Sequence, residues 1–355
     1  MRILFITDLY PVRDNERTTP KTLFNFVKEW QKTGHTVDVI KPNFILNSFL
    51  RGKPFYKTGQ YGNVYNVNYW TPFWHINNLS TNYNLIIAHM PSGILYADKL
   101  GFPFVAGVHN SDLEVLTSPL YKFHFKKRLE KALYNAKAIA CRSDVIKNKL
   151  LKLYPNFEQK TFVAPSGIDK NIINFSVLQP FNHSTTKILT CANLIKRKNI
   201  DKLILACKNL KDVKLTVIGD GKEKKYLEKL DKNVKFTGWL TKEKVYEKMR
   251  ENDIFILPSV NETFGMVYLE AMSQGCITVC TKDDGISGII KDKENGFLTE
   301  TYVESIKKTI LRIKNLTLEN IETIRQNSIK TVKEYTSEKV AENYLQQIFK
   351  ILQKV

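Results

Sequence analysis

Short apolar runs alternate along this chain with stretches in which apolar residues recur every three or four positions. The runs predict buried strands, and the three-to-four spacing predicts helices that cover them. In the first half the predicted strands are Arg2–Thr7, Thr36–Ile40, Asn63–Trp70, Leu85–His89, Pro103–His109, Ala138–Ser143 and Thr161–Pro165. The predicted helices are Pro20–Thr33, Pro91–Leu100, Leu120–Ala136 and Asp144–Tyr154.

The second half repeats this alternation. Its predicted strands are Lys187–Cys191, Lys214–Gly219, Val234–Gly238, Ile254–Pro258 and Ile277–Thr281. Its predicted helices are Ile200–Leu210, Lys222–Lys232, Lys242–Asn252, Phe264–Gln274 and the stretch from Thr317 to Val355. Strands that alternate with helices need crossover connections, so the pattern predicts an α/β protein with mostly parallel, doubly wound sheets.

The length of 355 residues predicts about two domains. Ser176–Thr186 is polar, contains Pro180 and lacks periodicity, which is typical of a linker. We therefore predict one domain over 1–180 and a second over 181–335. Ligands of doubly wound sheets bind beyond the carboxyl ends of the strands, so motifs that directly follow strands are the candidates for chemistry.

Charge and cysteine content narrow the class of protein. There are 54 Lys and Arg residues against 35 Asp and Glu, a net charge of +19. This predicts an anionic partner: nucleic acid, anionic lipid or a phosphorylated substrate. The five cysteines form no C-x-x-C pair, which indicates free thiols rather than disulfides or a zinc site.

The apolar start of the chain is too short for a signal peptide, and no run approaches the roughly 18 apolar residues of a membrane-spanning helix. We therefore expect a cytoplasmic protein that can lie on a membrane surface.

The sharpest motif is PSVNETFGMVYLEAMSQGC, which follows a predicted strand from Pro258. Thr263 is predicted to cap the next helix, whose first N–H groups, at Gly265 and Met266, suit a phosphate or a sugar hydroxyl. Glu262 and Glu270 are eight positions apart, about 12 Å along a helix. Because a glycosidase pair lies roughly 5–9.5 Å apart, this spacing favours two separate contacts along an elongated ligand.

Two further motifs follow strands in the second half. Lys196, Arg197 and Lys198 are placed to neutralise a diphosphate. A turn at Gly219–Gly221 allows close approach of a ligand, although it matches neither a dinucleotide fingerprint nor a P-loop. Trp239 and Leu240 follow another strand and could cover a base.

Two histidines, His89 and His109, end successive strands in the first half, and Asp112 follows on the same loop as His109. Neither histidine has the spacing of a helical metal site, so we predict no metal. A histidine at such a position is either a satisfied structural group or a residue that faces the substrate.

Together these motifs resemble the retaining glycosyltransferases of family 4, which have the GT-B fold. The resemblance is carried by the ordered series Asn193–Lys198, IGDG, FTGWL, IFILPSVNETFG, YLEAMSQG and ENGFL, together with APSGIDK at Ala164–Lys170 and GHTVDVI at Gly34–Ile40. It implies two Rossmann-like domains that face each other across a cleft, with the helix of 336–355 packed back on the first domain. It also implies a nucleotide-diphosphate sugar as co-substrate and no other cofactor.

The resemblance implies roles for individual residues. Glu262 would contact the donor sugar near the reacting carbon, and His109 would border the reaction centre; these are the predicted catalytic residues. The predicted donor-binding residues are Asn193, Arg197, Lys198, Gly219, Asp220, Trp239, Leu240, Phe264, Gly265, Met266 and Glu270. The predicted acceptor-binding residues are Thr18, Thr19, His89 and Asp112.

Two departures from the family pattern stand out. Asn193 occupies a position where the family usually has Arg, so one phosphate-binding cation is missing. Thr18 and Thr19 lie where the family usually has a Gly-Gly turn.

The predicted function is transfer of a sugar, with a UDP-sugar favoured, to a saccharide or lipid-linked acceptor in bacterial surface glycan biosynthesis, such as lipopolysaccharide, capsule or exopolysaccharide. A nucleotide-sugar epimerase on the same fold is an alternative. A basic nucleic-acid-binding protein is another, although no known nucleic-acid-binding module is present.

The predicted helix Leu120–Ala136 carries Lys122, Lys126, Lys127, Arg128 and Lys131 on its outward side. Such a face is either a solvated surface or a contact for anionic lipid, to which each basic residue contributes about 1 kcal/mol. The second interpretation predicts a peripheral position on the inner face of the cytoplasmic membrane.

Overall fold

The computed structural model describes residues 1–12, 21–43, 55–58, 62–68, 82–121, 125–173 and 180–353. Thr18, Thr19 and Lys122 lie outside these residues. The chain divides into two compact units, the first formed by Met1–Gly167 with Ser337–Val355 and the second by Ile168–Thr336. The division falls after Gly167 rather than at residue 180, because Ile168 and Phe181 belong to the core of the second unit.

The first unit contains an eight-stranded sheet with the order β3-β4-β2-β1-β5-β6-β7-β8. Its neighbouring strands are parallel except β3 and β4, which are antiparallel. The central strand β1 pairs Ile3 with Val37 of β2 and with Leu85 of β5. The strands are β1 Arg2–Ile6, β2 Thr36–Asn43, β3 Phe55–Thr58, β4 Gly62–Asn68, β5 Leu85–His89, β6 Val105–Val108, β7 Ala138–Cys141 and β8 Thr161–Val163.

Helices cover this sheet and bury their apolar sides against it. They are α1 Thr22–Lys32, α2 Met90–Leu100, α3 Asn110–Thr117, α4 Phe125–Asn135, α5 Asp144–Leu153 and α12 Ser337–Leu352. The last of them, α12, packs on α1: the Trp30 indole N–H donates to the carbonyl of Ala341 at 2.9 Å. Tyr344 packs edge-on against Phe26 and Trp30.

The second unit contains a six-stranded parallel sheet with the order β11-β10-β9-β12-β13-β14. Its strands are β9 Thr186–Cys191, β10 Val213–Ile218, β11 Lys235–Gly238, β12 Ile254–Leu257, β13 Ile277–Thr281 and β14 Phe297–Thr299. Its helices are α6 Ile200–Cys207, α7 Lys224–Leu230, α8 Lys242–Arg250, α9 Met266–Ser273, α10 Val303–Lys314 and α11 Leu318–Glu334. The strand order reverses direction at β9 and β12, which places their carboxyl ends at a topological switch point.

The predicted α/β class with parallel sheets is confirmed. The hydrophobic pattern did not predict the short elements β3, β14 and α3, nor the 12-residue helix α10. The stretch after Thr317 forms two helices, because α11 ends at Glu334 and Thr336 pairs with Ile168.

Candidate active site

The loops after β9 and β12 are joined at the switch point of the second unit. The backbone N–H of Val260 donates to the carbonyl of Arg197 at 2.9 Å, and the Asn199 amide donates to the carbonyl of Pro258 at 2.8 Å. Asn199 is in the left-handed conformation, with φ +51°, where it ends a short 3₁₀ turn over Lys196–Lys198. These bonds bring the basic triplet next to the start of the sharpest motif.

Glu262 lies at the centre of this junction. Its carboxylate accepts from the Lys198 ammonium and, at 2.9 Å, from the Arg197 guanidinium. The Ser259 hydroxyl donates to the same carboxylate oxygen. Both Lys198 and Glu262 are largely buried side chains, so the pair is partly shielded from water.

Opposing effects act on the ionisation of Glu262. Burial raises the pKa of its carboxyl. The neighbouring Lys198 ammonium, with help from the Ser259 hydroxyl and Arg197, outweighs burial and lowers the pKa below its usual value. Glu262 is therefore a carboxylate that accepts hydrogen bonds, which is the form suited to bind sugar hydroxyls.

Two residues after β13 support Glu262 and were not singled out from the sequence. The Asp284 carboxylate accepts from the backbone N–H of Glu262 at 3.2 Å. Gly285 lies against the Glu262 side chain, where an added Cβ would come within 2.7 Å of the Glu262 Cβ. Because β12 and β13 are neighbours, residues 22 positions apart in sequence meet here, and sequence spacing alone does not indicate the contact.

The helix α9 opens directly beside Glu262. It begins at Met266, and its N-cap is Gly265 in the left-handed conformation, with φ +89°. The prediction of Thr263 as the N-cap is therefore wrong, since Gly265 takes that place. A Cβ at Gly265 would come within 2.5 Å of the Tyr268 ring, so glycine is required for this close approach. The first N–H groups of the helix lack intrahelical acceptors and form a positive end.

Phe264 is buried and Met266 packs against the core, so both fix the entry to α9 through their side chains. Buried Tyr268 donates to the carbonyl of Leu257 at 2.7 Å, which ties the helix to the end of β12. The side chains of Phe264 and Met266 are thus taken up by packing, and the backbone groups of Phe264–Met266 lie at the start of α9.

Glu270 lies one turn further along α9. Its carboxylate accepts from the Lys242 ammonium at 3.3 Å and lies 3.5 Å from the Tyr246 hydroxyl. The pKa of the Cys191 thiol, at the end of β9, is raised to about 12, chiefly by burial and to a smaller extent by Glu270, while Lys198 opposes the rise. Glu270 and Lys198 therefore both influence the ionisation of a group at the end of β9.

The glycine turn after β10 lies against the β9 loop. The backbone N–H of Leu194 donates to the carbonyl of Asp220 at 2.8 Å. A Cβ at Gly219 would come within 1.9 Å of the Ala192 carbonyl oxygen, and one at Gly221 within 2.6 Å of the Asn193 side chain. Both glycines are needed for backbone packing, and this packing places Asn193 beside the turn.

Trp239 and Leu240, which are predicted to cover a base, lie at the same edge of the sheet as this glycine turn. The exposed Asp220 carboxylate pairs with Lys224 at 3.1 Å, and the backbone N–H of Gly221 with that ion pair lowers the pKa of Asp220. Trp239 is 60% exposed, and Leu240 is half-buried against the core.

The three singled-out residues of the first unit form a buried group. A ring nitrogen of His89 lies 2.9 Å from His109, and its other nitrogen lies 2.9 Å from the Tyr344 hydroxyl on α12. The Asp112 carboxylate accepts from the backbone N–H of His109 at 2.8 Å and so helps to cap α3. His89 and Asp112 are 0% exposed and have protein partners; the acceptor-binding role expected of them stays a prediction.

Burial shifts the pKa values of His89, His109 and Asp112. It lowers the pKa of His89 and of His109 well below the usual value, and the Arg142 guanidinium lowers both further. Both rings are therefore neutral. Burial also raises the pKa of Asp112 well above its usual value.

The basic side chains of α4 are mostly exposed. Lys127, Arg128 and Lys131 face outward, and Lys126 lies 3.9 Å from Glu130 one turn along. Leu120, just before the helix, is 91% exposed. Among the described residues, no helix is long and apolar enough to cross a membrane, and no cluster of three metal-ligating side chains occurs.

Comparison with known proteins identifies the family. The family described as Glycosyltransferase Family 4 matches residues 20–171, and Glycosyl transferases group 1 matches residues 174–331. An uncharacterized glycosyltransferase of Methanocaldococcus jannaschii is 30% identical over 230 residues, which are 63% of this chain and 62% of that protein. The lipopolysaccharide core biosynthesis glycosyltransferase LpsE of Rhizobium meliloti is 30% identical over 119 residues, 32% of this chain and 34% of LpsE.

Among solved structures, HepE of Anabaena in complex with UDP superposes with a TM-score of 0.73 at 17% identity and covers 99% of this chain and 100% of HepE. HepE has also been solved with UDP-glucose. The fold is therefore GT-B. The two family matches together span most of the chain, and they place it in glycosyltransferase family 4. For both the Methanocaldococcus jannaschii protein and LpsE, the match spans less than two thirds of the relative's own length.

Proposed function

We propose that this protein is a retaining glycosyltransferase that moves a sugar from a UDP-sugar to a saccharide or lipid-linked acceptor during assembly of a bacterial surface glycan. The observation that most supports this proposal is the junction at the ends of β9 and β12, where Lys198 and Arg197 converge on Glu262 beside the start of α9. The UDP and UDP-glucose complexes of HepE support the donor, and the name of LpsE supports the glycan.

In the proposed chemistry, basic groups bind the diphosphate of the donor, and carboxylates bind the hydroxyls of its sugar and ribose. The ammonium of Lys198 and the guanidinium of Arg197 neutralise the diphosphate, and the N–H groups that open α9 add a positive field. Glu262 accepts hydrogen bonds from hydroxyls of the transferred sugar. Glu270, further along α9, accepts from the ribose hydroxyls.

In the proposed reaction an acceptor hydroxyl attacks the anomeric carbon on the face from which the diphosphate departs. The bond between that carbon and the phosphate oxygen breaks while the bond to the acceptor oxygen forms. The departing phosphate oxygen takes the acceptor proton, so the sugar retains its configuration. The first unit is proposed to bind the acceptor and to contribute His109.

A peripheral membrane position is part of the same proposal. The outward basic residues of α4 would contact anionic lipid, and the exposed Leu120, five positions before α4 in sequence, would add an apolar side chain. Such a contact would bring the enzyme to a lipid-linked acceptor.

A thermal-shift panel with UDP, GDP, ADP and their sugar conjugates tests the donor site. A ligand that binds only the native state raises Tm, and we expect this response for UDP and a UDP-sugar. Lys198→Ala and Glu270→Ala should lose the response, whereas Lys208→Ala, on an exposed residue after α6, should keep it. No response to any nucleotide would contradict the proposal.

Product analysis then separates transfer from epimerisation. With the UDP-sugar alone, a transferase releases UDP only slowly to water and leaves the configuration of the sugar unchanged. An altered sugar without any acceptor would establish the epimerase instead.

A further inference from the structure

The first unit contains a cavity of about 320 Å³ at the ends of its central strands. Asp8 follows β1, Met90 opens α2 after β5, and Ser111 and Glu114 lie on α3 after β6. The cavity therefore lies at the sheet edge where α/β proteins bind ligands, and its size falls within the usual range for small-molecule sites, about 300–1,000 Å³.

The walls of this cavity are of two kinds. Leu95, Val115 and Met90 contribute apolar surface, whereas Asp8 and Glu114 contribute carboxyl groups. Met90 has φ +70°, a conformation that L-residues rarely adopt, and it accepts a weak hydrogen bond from the Ser111 hydroxyl at 3.7 Å. The cavity thus offers both apolar surface and hydrogen-bond acceptors.

Ser92 is the buried polar group of the cavity. It is 7% exposed, and its hydroxyl has no hydrogen-bond partner of good geometry among the described residues. Burial raises the pKa of the adjacent Asp8 carboxyl, while the Ser92 hydroxyl and the Lys41 ammonium offset part of that rise. The Ser92 hydroxyl is therefore close to the Asp8 carboxyl, and a ligand hydroxyl in the cavity would complete its hydrogen bonding.

We propose that this cavity binds an uncharged sugar ring of the acceptor, with Asp8 and Glu114 accepting hydrogen bonds from its hydroxyls. The C–H face of the ring would pack on Leu95, Val115 and Met90, as apolar walls pack on apolar ligand faces. Carboxyl groups favour hydroxyl donors and repel phosphate or carboxylate groups. The inference deepens the proposed function, because it names the acceptor group that the first unit takes.

Saturation-transfer NMR on the full chain, with UDP present, tests the cavity. The probes are methyl glycosides of glucose, galactose and N-acetylglucosamine, together with methyl glucuronide and methyl galacturonide, which differ from the first two by one carboxylate. We expect at least one neutral glycoside to receive saturation, and its uronide to bind about tenfold more weakly or less well still.

Three variants assign the signal to this site. Ser111→Phe fills the cavity and should abolish binding of every glycoside. Glu114→Gln removes one charge and should shift the ratio of neutral to uronide affinity about tenfold toward the uronide. The matched control Glu158→Gln changes an exposed carboxylate of the same unit away from the cavity and should leave the ratio unchanged.

The thermal response to UDP, measured on the same samples, separates this inference from the proposed function. If UDP raises Tm but no glycoside binds, or Ser111→Phe leaves binding intact, the cavity proposal is wrong while the donor site stands. A uronide that binds wild type as well as its neutral partner would also overturn it. If UDP gives no response, the proposed function itself fails.

Discussion

At the scale of single residues, Glu262 is the group on which the proposed donor site depends. Two cations and a hydroxyl converge on its carboxylate, and the backbone N–H of Glu262 is held by Asp284. When a diphosphate enters, Lys198 and Arg197 acquire a second anionic partner. The carboxylate can then turn its acceptor capacity to sugar hydroxyls.

The substitution Glu262→Gln should separate turnover from nucleotide binding. It keeps the shape of the side chain but removes its charge, so Lys198 and Arg197 remain available to UDP. We expect UDP affinity to stay the same or rise, while kcat falls by about 10²–10³-fold, as when a preorganised group at a reaction centre is removed. Steady-state kinetics and UDP titration measure the two effects.

Glu228→Gln, on the exposed side of α7, is the matched control for that experiment and should alter neither quantity. Near-normal turnover by Glu262→Gln would rule out the assignment of the site.

Asp112 is the basis of a second prediction, because its pKa is raised whereas the pKa of Glu262 is lowered. Burial raises its pKa well above the usual value, so the native state holds a proton there more tightly than the unfolded chain does. The contribution of Asp112 to stability should therefore be lost as pH rises above about 4, the ordinary pKa of an Asp side chain, whatever the other titrating groups add. Asp112→Asn lacks this loss and keeps an oxygen that can accept from the His109 backbone N–H.

Denaturant unfolding of wild type and Asp112→Asn at pH 5 and pH 8 measures the effect. The variant should gain on wild type as pH rises. A difference between the two proteins that is constant with pH, or that shrinks, would contradict the burial argument.

At the scale of elements, the glycine turn after β10 sets how closely the donor loops approach each other. Gly219 has φ +129°, and a Cβ there would come within 1.9 Å of the Ala192 carbonyl oxygen. Gly219→Ala must therefore move the β9 loop, and we expect a loss of about 3 kcal/mol in the free energy of unfolding from strain and overpacking. The displaced loop should also weaken UDP binding.

Gly238→Ala is the control in the same unit, since Gly238 has φ +71° but its added Cβ would meet only the tip of Lys224 at 3.9 Å. Only the cost of the left-handed conformation then remains, about 1 kcal/mol. Equal losses from the two substitutions would show that conformation, and not contact, decides the stability of the turn.

The periodic pattern was a good guide to most of the long elements, although it missed α10, and a poor guide to the short ones. Strands such as β1 and β12 are continuous apolar runs, whereas α3 has only eight residues and follows His109, which the pattern placed at the end of a strand. The motif around Glu262 was visible because its residues are close in sequence. Asp284 was not, because its contact depends on the pairing of β12 with β13.

At the scale of the whole molecule, the chain leaves the first unit after Gly167 and returns to it at Ser337. The returning helix α12 supplies Tyr344 to the buried pair of histidines and the Ala341 carbonyl to Trp30, a contact between residues 311 positions apart. The first unit is thus complete only when the last segment has packed. Contacts of such separation slow folding, because a long loop must close first.

The net charge of +19 is a property of the whole molecule. The distribution of this charge decides whether a membrane contact is specific to one surface. We expect the protein to sediment with vesicles that contain anionic phosphatidylserine, and to do so less at 0.15 M than at 0.05 M salt, since salt screens exposed charges. Changing Lys126, Lys127, Arg128 and Lys131 to Gln should weaken binding at least a hundredfold, at about 1 kcal/mol per residue.

A second variant with four substitutions tests whether the position of the charges matters, and not only their total. Lys222, Lys225, Lys229 and Lys232 are exposed on and around α7, and changing them to Gln removes the same four charges. This control should bind vesicles nearly as well as wild type, because its changes lie in the second unit. Equal weakening of the two variants would mean that vesicles respond to net charge alone, and α4 would then have no special role as a membrane contact.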